Sequence, residues 1–248
     1  MFPYITIVLP SYTVMALIGG FVALCFIYFR LDKFQIEFTT FLKIFVLCVV
    51  GVVVGSKLLF AITQIPWLIS NFSFMNLLLL IPQSGFVFYG GLFGAIFAIL
   101  FITRKDKLFR KNVFQLIVPA MPLFHAFGRI GCFLSGCCYG KELASNVVVG
   151  PIVFHSIPVQ LIEALLEFVL FFVIWHLDKK KPEVDLLKIY LVSYAMIRFG
   201  DEFLRGDAVR GIFLGVSTAQ WISLGILLFY FKEYIGILRN KHSLEINV

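Results

Sequence analysis

Charge is scarce in this chain. Only 14% of its 248 residues are Asp, Glu, Lys or Arg, where an ordinary soluble domain carries about 25%. Cysteine is scarce too: five residues, none in a C-x2-C pair, exclude a disulfide-stapled scaffold. No basic face interleaves with polar groups, so the net charge of +7 gives no nucleic-acid footprint. No internal repeat is present either, and the Gly-rich stretch at 128–140 has no counterpart in the other half, which argues against a repeat-built transporter. Apolar residues make up for these shortages, at 60% of the chain with thirty phenylalanines and a mean hydropathy of +0.97. Such a chain excludes disorder and overfills a water-soluble core. The bilayer is its expected solvent.

A spanning helix needs roughly 20 apolar residues. Seven runs meet that need, near Tyr12–Phe29, Leu42–Ile62, Phe86–Ile102, Asn112–Phe127, Pro158–Leu177, Leu186–Phe203 and Leu214–Phe231. Pro119 and Pro122 interrupt the fourth. The first run lacks a basic region before it, so a retained span is expected rather than a cleaved signal. The reading is an all-α integral membrane protein of about seven transmembrane helices, forming one membrane-embedded domain over 1–248.

The basic residues orient it. Arg30, Lys33, Lys43, Arg104, Lys105, Lys107, Arg110, Lys111, Lys179, Lys180, Lys181, Lys188, Lys232, Arg239 and Lys241 fall on one set of connections, fifteen of the 21 in all. The Gln64–Gln83 connection opposite has none. By the positive-inside rule the N-terminus is expected outside and the C-terminus in the cytoplasm.

Six basic residues remain: Lys57, Arg129, Lys141, Arg198, Arg205 and Arg210. Lys57 and Arg198 lie within apolar runs, where an unpaired charge costs roughly 2.5–3.5 kcal/mol on insertion scales. Arg198 is about 20 Å up a ~30 Å core from the cytoplasmic end. Lys57, Tyr89, Arg129 and Glu163 are expected at a similar level, which points to a polar cavity open to the outer half of the membrane. Arg198, Asp201, Glu202 and Arg205 follow i, i+3, i+4, i+7 spacing, one stripe of a helix. Arg–carboxylate pairs along it would hold guanidinium groups ready for a phosphate.

The segment from Phe127 to Gly140 reads FGRIGCFLSGCCYG. Gly128, Gly131, Gly136 and Gly140 let backbone turn or approach a ligand or a neighbouring helix, and Arg129 among them is placed to meet a headgroup phosphate. Cys132, Cys137 and Cys138 lack the paired spacing of zinc sites, and their readings are small-residue packing first, then an extracytoplasmic disulfide, then a structural zinc site that the distant His125 and His155 would have to complete. No metal or cofactor is expected. Cys25 and Cys48 read as core.

Together these residues resemble the bacterial prolipoprotein diacylglyceryl transferase family. Tyr12, Gly55-Ser-Lys57, Phe88-Tyr-Gly-Gly91, the Gly128–Gly140 segment, Pro158-Val-Gln-Leu-Ile-Glu-Ala164, Arg198-Phe-Gly-Asp-Glu-Phe-Leu-Arg-Gly-Asp207 and Ser217-Thr-Ala-Gln220 follow its motifs in order. The resemblance implies a seven-helix enzyme of the bacterial cytoplasmic membrane with its active site toward the outer leaflet. It would move the diacylglyceryl group of phosphatidylglycerol to the lipobox cysteine thiol of a prolipoprotein, or to another acceptor. Tyr89, Arg129, Arg198 and Glu202 are the implied catalytic residues. Tyr12, Lys57, Gly128, Gly131, Gly140, Glu163 and Arg205 are the implied substrate contacts.

The chain departs from the pattern at four places. Tyr89 stands where the family has a histidine, Cys132 at an asparagine position, Cys137 at a glutamate position and Lys57 at an arginine position. The anion-binding half is retained and the acceptor-handling half is changed, so the proton acceptor is open among Tyr89, His155 and Glu202. A non-catalytic phospholipid-binding protein and a small anion transporter are the rival readings.

Overall fold

The computed structural model describes residues 10–70, 73, 87–149, 152–181, 183–207 and 212–246, the side chains of 66–68, 152 and 236–246 aside. Arg210, Phe86, Gln83 and the side chains of Arg239 and Lys241 fall outside that description. In chain order the elements are α1 (Ser11–Tyr28), a 3-10 turn (Asp32–Phe34), α2 (Phe38–Thr63), α3 (Ile65–Ser70), α4 (Phe88–Ile102), α5 (Lys107–Ile117) and α6 (Ala120–Ser135). After them come a hairpin of β1 (Glu142–Val149) and β2 (Ile152–Ser156), α7 (Val159–Lys180), α8 (Leu186–Asp201), a short β3–β4 pair (Ile212–Phe213, Val216–Ser217) and α9 (Thr218–Ile246). Both strand pairs are antiparallel.

The chain is mostly helical and membrane-adapted. Ser11–Tyr28, Phe38–Thr63, Lys107–Ser135 and Val159–Lys180 are long and apolar enough to cross a bilayer, and Phe88–Ile102 is a shorter apolar helix. Their outward faces are hydrocarbon: Phe21, Val50, Val54, Leu58, Phe97 and Phe172 are exposed. In water such faces would drive association, and in lipid they need no cover.

Two compact units divide the chain, Ile27–Ile117 and Met1–Phe26 with Val118–Val248. In the first, α2 and α4 cross backbone to backbone. Gly51 and Gly55 on α2 meet Gly94 and Gly90 on α4, and a Cβ on any of them would run into the partner's carbonyl. Each helix thus presents a small-xxx-small face, the arrangement that lets membrane helices approach closely without a hydrophobic driving force. At Gly91 a Cβ would lie 2.8 Å from Ser56 Oγ.

The proline break behaves as the sequence indicates. Pro119 has no N–H to give the Gln115 carbonyl four residues earlier, so α5 stops at Ile117 and α6 begins at Ala120. Buried Arg30 fills the gap, donating Nη2 to Gln115 O (3.1 Å) and Nη1 to Leu116 O (3.2 Å). A cation capping orphan carbonyls also suits the negative end of the helix dipole. At the other end of α5, Asp106 Oδ1 accepts from Phe109 N at 2.9 Å, an N-cap. Arg30, one of the basic-loop residues, is therefore a structural part of the connection.

In the second unit α6 ends in a Schellman motif. Gly136 adopts φ 74°, which only glycine takes cheaply, while Cys137 N donates to Cys132 O and Gly136 N to Phe133 O, each at 3.1 Å. Beyond it, the chain at Tyr139–Lys141 runs antiparallel to the segment after α8. Gly206 N donates to Tyr139 O (3.0 Å) and Lys141 N to Leu204 O (2.8 Å), and Gly140 bridges to Arg205. Ser217 and Gln220 form a capping box at the start of α9, with Ser217 N to Gln220 Oε1 and Gln220 N to Ser217 Oγ both at 3.1 Å.

If the glycine crossing holds the Ile27–Ile117 unit together, Gly94→Val should lower stability in detergent micelles by at least ~1–3 kcal/mol, the usual cost of overpacking. Gly225→Ala, whose Cβ meets nothing within 4 Å, should be neutral or stabilising by up to ~1 kcal/mol. Thermal unfolding of the two variants beside the parent checks this.

Candidate functional site

The site is a chain of buried opposite charges within the Met1–Phe26/Val118–Val248 unit. Its centre is Glu163, 1% exposed on the second turn of α7. Arg129 of α6 pairs through Nη2 with Glu163 Oε2, and Arg198 Nη1 of α8 reaches the same oxygen at 3.3 Å. Arg198 Nη2 continues to Glu202 Oε1 at 2.5 Å, and Arg205 Nη1 meets that oxygen at 3.2 Å. Arg205 then grips Asp207 with Nε and Nη2 at 2.8 and 2.5 Å, a bidentate fork. Three guanidinium groups and three carboxylates alternate along one line. Pairing on this scale offsets the several kcal/mol that each buried ion costs.

Each member is placed by local structure. Arg129 lies one turn above Cys132 on α6, where its Nη1 touches Cys132 Sγ at 3.9 Å. On α7, Gln160 and Glu163 share a face. Gln160 Nε2 holds Cys137 O at 2.6 Å, so the Gly-Cys loop and the central carboxylate are fixed by one helix turn. The stripe expected from Arg198 to Arg205 holds only as far as Glu202. The helix ends at Asp201, Phe203 N and Leu204 N turn back to Gly200 O (3.1 Å) and Asp201 O (2.9 Å), and Arg205 belongs to the extended bridge with Gly140. A tightened last turn, not helix continuation, brings Arg205 back onto Glu202.

The other expected site residues sort as follows. Gly131 brings α6 against α1, since a Cβ there would sit 3.2 Å from Tyr12 Cα and 3.1 Å from Met15 Cβ. Gly140 touches the Ile157 carbonyl, to which its own N–H donates at 3.1 Å. A Cβ on Gly128, next to Arg129, would meet nothing within 4 Å among the described residues, so packing does not require glycine there. Tyr89 and Lys57 belong to the Ile27–Ile117 unit. Tyr89 is buried in the first turn of α4, its ring stacked on Phe93 at 6.0 Å. His155 is exposed on β2 and meets Asn146 Oδ1 at 2.9 Å.

Sequence reasoning missed two members. His125 and Glu167 extend the line behind Glu163: His125 Nδ1 lies 3.1 Å from Glu167 Oε1, and its Nε2 lies 3.8 Å from Glu163 Oε1. The i, i+4 spacing of Glu163 and Glu167 on an apolar helix was the available signal. His125 sits four residues before Arg129 on α6, one turn away on the same face.

Not every donor is spent. Arg129 Nε is buried without a hydrogen-bond partner among the described residues, as are Ser135 Oγ, Glu167 Oε2 and Asp201 Oδ2. A buried guanidinium with a spare N–H has capacity for one further acceptor. At the open end, Cys138 takes φ 57° and its thiol is held below the ordinary thiol range. Hydrogen bonding from the Cys132 and Cys137 thiols is the main cause, with the Arg205 and Arg129 charges adding to it. Arg205 stays cationic, since its hydrogen bond with Asp207 and the nearby negative groups outweigh its burial.

Known proteins match this chain along most of its length. Residues 1–233 fit the family described as prolipoprotein diacylglyceryl transferase. A phosphatidylglycerol–prolipoprotein diacylglyceryl transferase of Clostridium tetani is 33% identical over 199 residues, 75% of this chain and 78% of that protein. One from Campylobacter hominis is 30% identical over 249 residues, covering 94% of this chain and 88% of its own. A further one, from Clostridium perfringens, is 33% identical over 191 residues, 74% and 73% of the two chains.

Replacing the central carboxylate tests the network. Glu163→Gln leaves Arg129 and Arg198 facing a neutral amide, and breaking a buried pair this way costs about 3–5 kcal/mol. Unfolding in micelles should register that loss. Asp207→Asn, at the less buried end with 14% of its side chain exposed, should cost clearly less.

Proposed function

The chain belongs to the prolipoprotein diacylglyceryl transferase family, and from that premise we propose how its residues carry the reaction. It is a transferase that moves the diacylglyceryl group of phosphatidylglycerol to the cysteine thiol of a prolipoprotein. Membership in the family replaces the lipid-binding and transporter readings. The observation that carries the residue assignment is the buried line Arg129–Glu163–Arg198–Glu202–Arg205, with an unspent Arg129 Nε at its edge.

Arg129 binds the phosphate of phosphatidylglycerol, and Arg198 and Arg205 supply positive potential from fixed positions behind it. As the carbon–oxygen bond to phosphate breaks, charge collects on the leaving glycerol phosphate. Preorganised guanidinium groups in a dry site stabilise that charge without reorganising. Glu163 and Glu202 hold the arginines so that they do not fold back onto lipid or water. The acceptor sulfur must arrive as thiolate. Tyr12, Gly128, Gly131 and Gly140 shape the lipid-facing side of that line.

The chain acts as one membrane-embedded transferase domain in the bacterial cytoplasmic membrane. Seven spans with the N-terminus outside and the C-terminus inside set the active site toward the outer leaflet. The helical bounds support this reading: α1, α2, α4, the α5–α6 pair, α7, α8 and α9 each cover one of the seven apolar runs.

Two measurements bear on it. In vesicles of phosphatidylglycerol with a lipobox peptide, Arg129→Ala should lower thioether formation at least ~10²-fold, as loss of a fixed oxyanion donor does. Arg129→Lys should recover little of it, because an ammonium lacks the planar fork. Near-parental rates in both variants would contradict the phosphate role. Impermeant thiol labelling of single cysteines introduced between Arg104 and Lys111 should reveal protection in intact cells, and ready labelling there would overturn the orientation.

A further inference from the structure

Cys132, Cys137 and Cys138 have no part in the anion-binding line, yet the fold draws them together. Their Sγ atoms all lie within 4.8 Å of one another, and none of them is in a disulfide. The Schellman closure explains the first contact. With Gly136 as the left-handed residue, Cys132 and Cys137 occupy the two positions that such a motif brings side by side, places usually filled by a pair of apolar side chains. Packing alone would explain two small residues there. It does not explain the third: Cys138 takes φ 57°, a conformation costly for a residue with a Cβ, and in it the third sulfur joins the other two. Gln160 fixes the loop from the far side through Cys137 O.

We propose that these three cysteines form a zinc site with an open fourth position, and that this position takes the acceptor thiol. The claim rests on the transfer reading above for its second half only. Zinc binds thiolates at about 2.3 Å, which sets sulfurs roughly 3.8 Å apart in a tetrahedron, so the observed cluster closes onto an ion with small side-chain movements. Cys132 is buried at the end of α6, Cys138 is half-buried and Cys137 is exposed, so three ligands are anchored in protein while one edge opens outward. Three donors plus an exchangeable place is the arrangement of catalytic rather than structural zinc. The charge is also accommodated. Three thiolates on Zn²⁺ carry one net negative charge, and Arg129 Nη1 already contacts Cys132 Sγ.

Neither His125 nor His155 offers the acceptor an equivalent base. His125 is enclosed between Glu163 and Glu167, and His155 is occupied by Asn146 on the hairpin. With zinc present, the acceptor thiol binds as thiolate and its proton passes to water. A sulfur lone pair then attacks the glyceryl carbon bonded to phosphate oxygen. The new carbon–sulfur bond forms as that carbon–oxygen bond breaks, and glycerol phosphate leaves with the electron pair toward Arg129. The product thioether is neutral and a poor zinc ligand, so it departs and the open position is restored.

The test uses the full chain purified in detergent under reductant, with Zn²⁺ alone and Co²⁺ alone as probes. One zinc per chain is expected by elemental mass spectrometry, and Co²⁺ should give thiolate charge-transfer and tetrahedral d–d absorption. Cys137→Ser, at an exposed position, should weaken zinc at least ~10-fold; Cys132→Ser should do the same if it folds. Cys25→Ser and Cys48→Ser should leave binding unchanged. Equal zinc retention by the parent and Cys137→Ser, or recovery of any two of the three residues as a disulfide from reductant-treated protein, would overturn the site. In phosphatidylglycerol vesicles, thioether formation on a lipobox peptide should fall on chelation and return with Zn²⁺. Transfer indifferent to chelation would overturn the acceptor role alone. Bound zinc with no transfer at any metal load would overturn the transfer reading and leave the site standing.

Discussion

A carboxylate with almost no solvent contact needs cations around it, because a lone ion taken out of water costs many kcal/mol. Glu163 has two, Arg129 and Arg198, from two different helices. That single requirement organises the rest. It draws α6 and α8 onto α7, it uses up Arg198 on the way to Glu202, and it leaves Arg129 bound on one side and open on the other. His125 and Glu167 form the quiet end of the same line, where a ring rather than a guanidinium separates two carboxylates.

Backbone hydrogen bonds do the remaining positioning. Around Gly140 the loop after α6, the strand-like segment after α8 and Ile157, two residues before α7, share four backbone bonds within a few residues. Gly140 must be glycine there because the Ile157 carbonyl occupies the space of a Cβ. The consequence is chemical: the bridge to Gly140 sets Arg205 opposite the Gly-Cys loop, so the cationic line and the cysteine cluster end at the same loop.

Much of this was legible from residue order. The proline pair in the fourth run gave the α5–α6 break, Gly128–Gly140 marked a turn and close approaches, and charges along the apolar runs pointed to Arg129, Glu163, Arg198 and Glu202, which the structure joins in one buried line. Other features were not legible for physical reasons. Arg205 left the helical stripe because the last turn tightened into i→i+3 bonds, which periodicity cannot foresee. His125 and Glu167 were not joined to the line because residue order does not say which helix packs beside a histidine in an apolar run. The cysteines hid their proximity because a Schellman turn, not C-x2-C spacing, brings them together.

Composition and order alone carried the membrane-adapted, helical character, the proline break and the family, since hydrophobic length, proline, glycine and charge act locally and leave their mark residue by residue. Which carboxylate holds which arginine, which guanidinium keeps a spare donor, and which thiols touch were decided only when three helices and a loop met. Those are long-range choices, made by the cost of burying charge and by backbone groups seeking partners across 23 to 85 residues of sequence, and no local pattern carries them.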